Sequence, residues 1–185
     1  MIELKNISFS YGDKPIISDF SLQINEGARL CLFGESGKGK TTLLRLLAGL
    51  EKEKSGELLG AENKRFSVVF QEDRLLPNLS VLQNVALVGD GNRAKELLCA
   101  LGLGDSLDMK PGELSGGMSR RVAIARALCA DFDVLLLDEP FNGLDEEHVK
   151  SACELILREI GRRPFVLVSH NREHIEYLNG EIILI

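Results

Sequence analysis

The stretch GESGKGKTT, residues 34–42, restricts what this chain can fold into more than any other. It follows ARLCLFG (28–34), a nearly continuous apolar run of the kind that forms a strand covered on both faces. It precedes KTTLLRLLAGL (40–50), a leucine-rich helix ending near Gly49. A G-x-x-x-x-G-K-[ST] pattern between a buried strand and a helix is a phosphate cradle. Gly34, Gly37 and Gly39 let the backbone close around phosphate oxygens, and their amides, with the helix N-terminus, face the negative charge. Lys40 reaches the β- and γ-phosphates and Thr41 supplies a hydroxyl ligand for Mg²⁺. The whole loop, Gly34, Glu35, Ser36, Gly37, Lys38, Gly39, Lys40, Thr41 and Thr42, is the candidate phosphate-binding segment.

The rest of the chain fits around that unit. IELKNISFSY (2–11) and SDFSLQINEG (18–27) alternate apolar and polar residues, which predicts an antiparallel pair near the N-terminus. FSVVFQ (66–71), DVLLLDEP (133–140), PFVLVSH (164–170) and GEIILI (180–185) are further buried-strand runs. The segment DEEHVKSACELILREIG places Val149, Ala152, Cys153, Ile156 and Ile160 on one helical face, with Asp145 able to cap its start. Strand, crossover helix, strand predicts an α/β fold: a P-loop NTPase core with a mostly parallel sheet and an N-terminal antiparallel β subdomain. SVLQNVALV, NRAKELLCALGL and SRRVAIARALCA read as helices, with Ala94, Leu97, Leu98 and Leu101 forming one stripe. They predict an inserted helical lobe at about 72–130 in a single domain of 1–185, whose core is 1–71 and 131–185.

Composition excludes some alternatives. A net charge of −6 argues against a dedicated nucleic-acid binder, so no nucleic-acid partner is expected. No apolar run approaches the ~20 residues of a membrane span. The start MIELKNISFS alternates and does not read as a signal peptide. Cys31, Cys99, Cys129 and Cys153 lack CxxC spacing and are expected to be reduced, core-packing thiols.

DVLLLDEP ends a buried strand in two carboxylates. Asp138 suits the metal side through its water shell, and Glu139 can orient an attacking water and accept its proton. LSGGM (114–118) offers a serine and two glycines at a helix start, an anion cradle in its own right, yet the chain already has one at 34–42.

At this point the order of segments resembles the ATPase subunit or domain of ABC proteins over nearly the whole chain. The specific part is LSGGM before RRVAIARAL, since that family's signature reads LSGGQ before such a helix. The resemblance implies that two ATPase domains pack head to tail, with ATP held between the phosphate loop of one and Ser115, Gly116 and Gly117 of the other. It implies that Tyr11 stacks on adenine, that Gln71 links Mg²⁺ and water to the helical lobe, that Asp145 of NGLD (142–145) lies at the dimer interface, and that His170 touches the γ-phosphate. Taken singly, Tyr11 could be a strand-end aromatic, Gln71 a solvated strand end, NGLD a turn and LSGGM a capped helix entry. Their occurrence once each, in one order, is what the resemblance rests on.

The sequence departs from the family pattern in places. Met118 stands where Gln is usual and lacks the amide's hydrogen bonds. Asn142-Gly143 replaces Ser-Ala, and Asn171 replaces an Asp. The chain stops at EIILI where relatives usually continue, which predicts a compact version without a C-terminal regulatory domain. The implied function is the ATP-hydrolysing subunit of a solute transporter, peripheral on the cytoplasmic face of the membrane and bound to a transmembrane permease. The stretch VVFQEDRLLPNLSVLQNVAL resembles importers of nitrate, sulfonate and taurine-like anions. Arg74, Leu75, Leu76 and Pro77 are the candidate permease contact, or "LLP" caps the lobe. The alternative function is a non-transport ABC ATPase of repair, translation or assembly.

Overall fold

The strand before the phosphate loop, β3 (Arg29–Phe33), lies between two parallel neighbours, β7 (Phe165–Val168) and β8 (Glu181–Leu184), in a computed structural model that describes residues 1–185. With β5 (Phe66–Val69) and β6 (Val134–Asp138) they form a sheet of order β5-β6-β7-β3-β8, parallel throughout. A second, antiparallel sheet has order β2-β1-β4, with β1 (Ile2–Tyr11), β2 (Lys14–Ile24) and β4 (Ser55–Leu59).

The period of two along the parallel strands divides the core. Leu30, Leu32, Val134, Leu136, Val166 and Val168 face α1 (Lys40–Leu47) and the antiparallel sheet. Cys31, Leu135, Leu137, Phe165 and Leu167 face the opposite side. There they meet α2 (Val81–Ala86), α3 (Gly91–Ala100), α4 (Gly116–Cys129) and α5 (Glu146–Ile160), and Ile175 of α6 (Arg172–Tyr177) joins the same cluster. The expected α/β class, with a parallel sheet and an N-terminal antiparallel unit, is therefore what forms. The stripe Ala94, Leu97, Leu98, Leu101 is buried, and so is the apolar face of α5.

Three details differ from the sequence reading. β2 begins at Lys14 rather than Ser18, and β4 completes the antiparallel sheet. Cys99 is exposed, which corrects the expectation that all four cysteines pack in the core. It sits on the solvent side of α3, opposite the apolar stripe that decides which face is buried.

Candidate active site

The parallel strands β3, β6 and β7 end in register, with Asp138 opposite Val168 and Leu32 opposite the same residue. Ligands in open α/β sheets bind beyond the carboxyl ends of the strands, and the phosphate loop leaves β3 at this edge. The loop turns through two left-handed glycines, Gly37 at φ 83° and Gly39 at φ 89°. A side chain at Gly39 would also press within 3.0 Å of Ile16 and Ile17, so two independent constraints require glycine there.

Lys40 opens α1 and is buried, its ammonium donating to the carbonyls of Gly34 at 2.8 Å and Glu35 at 2.7 Å. Next to it, the Thr41 hydroxyl donates to Asp138 Oδ1 at 3.1 Å, joining the loop to the end of β6. Burial raises the Asp138 carboxyl above its ordinary range, and Glu139 adds to this; the Thr41 hydrogen bond and the charges of Lys40 and Arg120 oppose it.

A cleft of about 330 Å³ gathers Ser36, Gly37, Gly39, Lys40, Thr41, Thr42, Gln71, Asp138 and Glu139, with Lys14 and Ile16 on its rim. Glu139 enters it from a left-handed backbone (φ 48°), an uncommon conformation for a side chain with a Cβ. The backbone holds it there: its amide donates to Val168 O at 3.0 Å and its carbonyl accepts from Asn142 at 3.3 Å. The Glu139 carboxylate lies 3.0 Å from His170 Nδ1.

Other candidates gather elsewhere. Ser115 caps α4, its hydroxyl accepting from the Met118 amide at 3.2 Å, so the hydroxyl already has a role within the chain. Ser115 and Gly116 are exposed, and neither lines the cleft. Gly117 abuts the NGLD loop: a Cβ there would lie 3.2 Å from Gly143 O and 3.5 Å from Leu144. Asp145 caps α5 by accepting from the His148 amide at 2.9 Å, and those bonds from His148 hold its carboxyl below the usual range. Tyr11 stands exposed at the end of β1, edge-on to Phe9 and donating to Glu51 at 3.2 Å.

The geometry therefore holds a phosphate loop, two carboxylates, a glutamine and a histidine at one sheet edge, and an exposed Ser115-Gly116 pair at a separate helix start. Residues 17–142 match the family model described as ABC transporter. The chain belongs to the ABC transporter family. It is 39% identical to an aliphatic sulfonates import ATP-binding protein of Paracoccus denitrificans, in an alignment covering all of this chain and 78% of that one. It is 37% identical to a spermidine/putrescine import ATP-binding protein of Haemophilus influenzae, covering all of this chain but 55% of that relative. Among solved structures, a dimeric ATP-binding cassette in a post-hydrolysis state with ADP and Pi superposes with a TM-score of 0.87 at 29% identity. That match covers 100% of this chain and 94% of the other. The chain is thus an ABC ATPase cassette that binds ATP.

Two features of this ABC cassette escape the motif reading. Arg120 and Arg126 of α4 reach across to the Gln71 segment. His174 sits within 3.1 Å of Ser169 Oγ and edge-on to Phe141, beside the His170 segment. The sequence holds one signal for the first: Arg120 lies near the start of a helix, where the dipole disfavours cations unless something else binds them.

Proposed function

We propose that this chain is the ATP-hydrolysing subunit of a solute importer, acting as a dimer of cassettes on a transmembrane permease. The observation that carries the reading is the separation of parts. The cleft at the sheet edge gathers the phosphate loop with Gln71, Asp138 and Glu139, while Ser115 and Gly116 are displayed outside it. A second chain would bring that pair to the open side of the nucleotide.

In this reading the amides of 34–42 and Lys40 cradle the β- and γ-phosphates, Tyr11 stacks on adenine, and His170 and Gln71 position the γ-phosphate and the water. Glu139 accepts the proton as the water attacks in line. Asp145 stands at the dimer interface. The residues fit Mg²⁺: the Thr41 hydroxyl and Asp138 carboxylate are oxygen donors 3.1 Å apart at the cleft, with Gln71 alongside. Bound there, Mg²⁺ would neutralise charge developing on the phosphates.

The permease contact is proposed beside Gln71. Leu76 is 43% exposed, and a depression of about 150 Å³ that reaches from Thr41 and Asp138 to Leu50 and Phe70 is lined by Gln71 and Arg74. No helix is long and apolar enough to cross a membrane, so membrane attachment is assigned to the permease.

The test is Glu139→Gln. The variant keeps the size and shape of the side chain but removes the proton acceptor. ATP binding is expected to persist, turnover to fall by a factor of 10² or more, on the order of general-base losses, and an ATP-bound dimer to accumulate. Turnover like the wild type would sink the assignment.

A further inference from the structure

Residues 71–74 make no backbone–backbone hydrogen bond. The segment is nevertheless ordered by two arginines of α4. Arg120 donates through Nη1 to Phe70 O at 2.7 Å and through Nη2 to Gln71 O, and its Nε lies 3.2 Å from Asp73 Oδ1. Arg126 donates to Asp73 O at 2.8 Å and Arg74 O at 2.9 Å. Four carbonyls of one segment thus rest on two guanidinium forks. Arg74 adds a contact of its own, stacking over the Phe70 ring at 3.9 Å. The far side of the arrangement is fixed too: Ser67 of β5 donates to Ala127 O of α4 at 2.8 Å, which ties the strand before the segment to the same helix.

Arg120 is the member that touches Gln71. It is 7% exposed, so its charge is matched by these carbonyls and Asp73 rather than by water. A planar fork spanning two successive carbonyls fixes both peptide planes, and the direction of a side chain follows from its own backbone. Gln71 is exposed and lines the cleft beside Thr41, Asp138 and Glu139.

We propose that Arg120 is a positioning residue for Gln71: anchored on α4, it sets where the Gln71 amide is presented to the cleft. This rests on the role given to Gln71 above. Because α4 begins at Ser115 and Gly116, the same helix that carries the exposed half-site also holds a side chain of this chain's own cleft.

The test is a double-mutant cycle on the full-length chain, with kcat and KM for MgATP measured alongside thermal stability. Gln71→Ala and Arg120→Gln are each expected to lower kcat by on the order of ten- to a hundredfold, the scale of a misplaced catalytic group. KM should change by no more than about twofold. The double variant should be no slower than Gln71→Ala alone. Arg120→Lys keeps the charge but cannot span two carbonyls, and it is expected to fall between wild type and Arg120→Gln; it serves if the glutamine variant fails to fold. Losses that multiply in the double variant would overturn the proposal, as would full activity in Arg120→Gln or in Arg120→Lys. Full activity in Gln71→Ala would instead refute the role of Gln71 itself.

Discussion

Gly116 is the first residue of α4, exposed, and without positive φ. A Cβ built on it meets nothing within 4 Å. Nothing inside the chain therefore asks for glycine at this position, unlike Gly117, whose Cβ would crowd the Gly143 carbonyl at 3.2 Å. If glycine at 116 serves a surface that closes on another molecule, substitution should separate folding from function. Replacing Gly by Ala where the conformation permits it stabilises by about 0.4–1 kcal/mol through the unfolded chain. For a domain of this size that is a rise in Tm of about 1–4 °C.

Gly116→Asp sharpens the test. A carboxylate in the first turn of a helix favours the helix dipole by about 0.3–1 kcal/mol, so the fold gains again. Against the phosphate of an opposing nucleotide, however, each pair of unit charges at about 4 Å repels by about 1 kcal/mol in water and about 4 kcal/mol at a protein surface. Each of the two nucleotide sites should therefore weaken the dimer equilibrium by between about fivefold and about a thousandfold. The assay is light scattering of Glu139→Gln with and without Gly116→Asp in MgATP, with calorimetric Tm and ATP affinity of the monomer as controls. Expected are an unchanged or higher Tm, unchanged monomer affinity and a lost dimer. A dimer as stable as before would refute the half-site reasoning, and so would loss of ATP binding by the monomer.

Asp138 carries a carboxyl raised by burial, so between its ordinary and its raised value the folded state binds more protons than the unfolded state. Stability contributed by this group therefore falls as pH rises through that window, and the cost is fully present at neutral pH. Asp138→Asn should abolish hydrolysis yet raise nucleotide-free stability at pH 7, with the gap closing in acid; a gap independent of pH in thermal melts would contradict this. Asn84 is fully buried, accepting from the Leu76 amide at 2.8 Å and donating to the carbonyls of Leu76, Leu79 and Ser80 at 3.0–3.1 Å. Asn84→Ala should cost about 2–4 kcal/mol in denaturant unfolding and expose the Leu76 amide to hydrogen exchange; an unchanged exchange rate there would argue against the pin.

Much of the fold was legible because burial follows period. In β6, Val134 and Leu136 face one cluster and Leu135 and Leu137 the other, and a run apolar at every position is how a two-sided strand reads. β4 was missed because SGELL shows no such pattern: it is an edge strand, mostly exposed, and holds Gly56 at φ 90°, where a Cβ would lie 2.5 Å from the Lys5 and Asn6 carbonyl oxygens. The exposed Cys99 follows from the α3 stripe; residue type misled where periodicity would have decided. In the cleft, the loop and the Asp-Glu pair were readable because local spacing carries their chemistry. The arginine fork was not. Arg120 and Gln71 are 49 residues apart, and the partner is a carbonyl, which every residue has.

The same contrast says what kind of element α4 is. Its polar contacts run in several directions: Ser115 turns back on its own first turn, Arg121 donates to Leu101 O at 2.7 Å at the end of α3, Ala127 O accepts from Ser67 of β5, and Arg120 and Arg126 grip the segment after β5. Burial lowers the pKa of both Arg121 and Arg126, so these cations sit where water supports them poorly and depend on fixed carbonyls. A helix needing only to pack could use leucine at these positions and avoid that cost. Guanidinium forks instead fix direction as well as distance. They fix the backbone of Gln71 against α4, the helix whose first turn displays Ser115 and Gly116, so this one helix meets both the proposed half-site and the segment after β5.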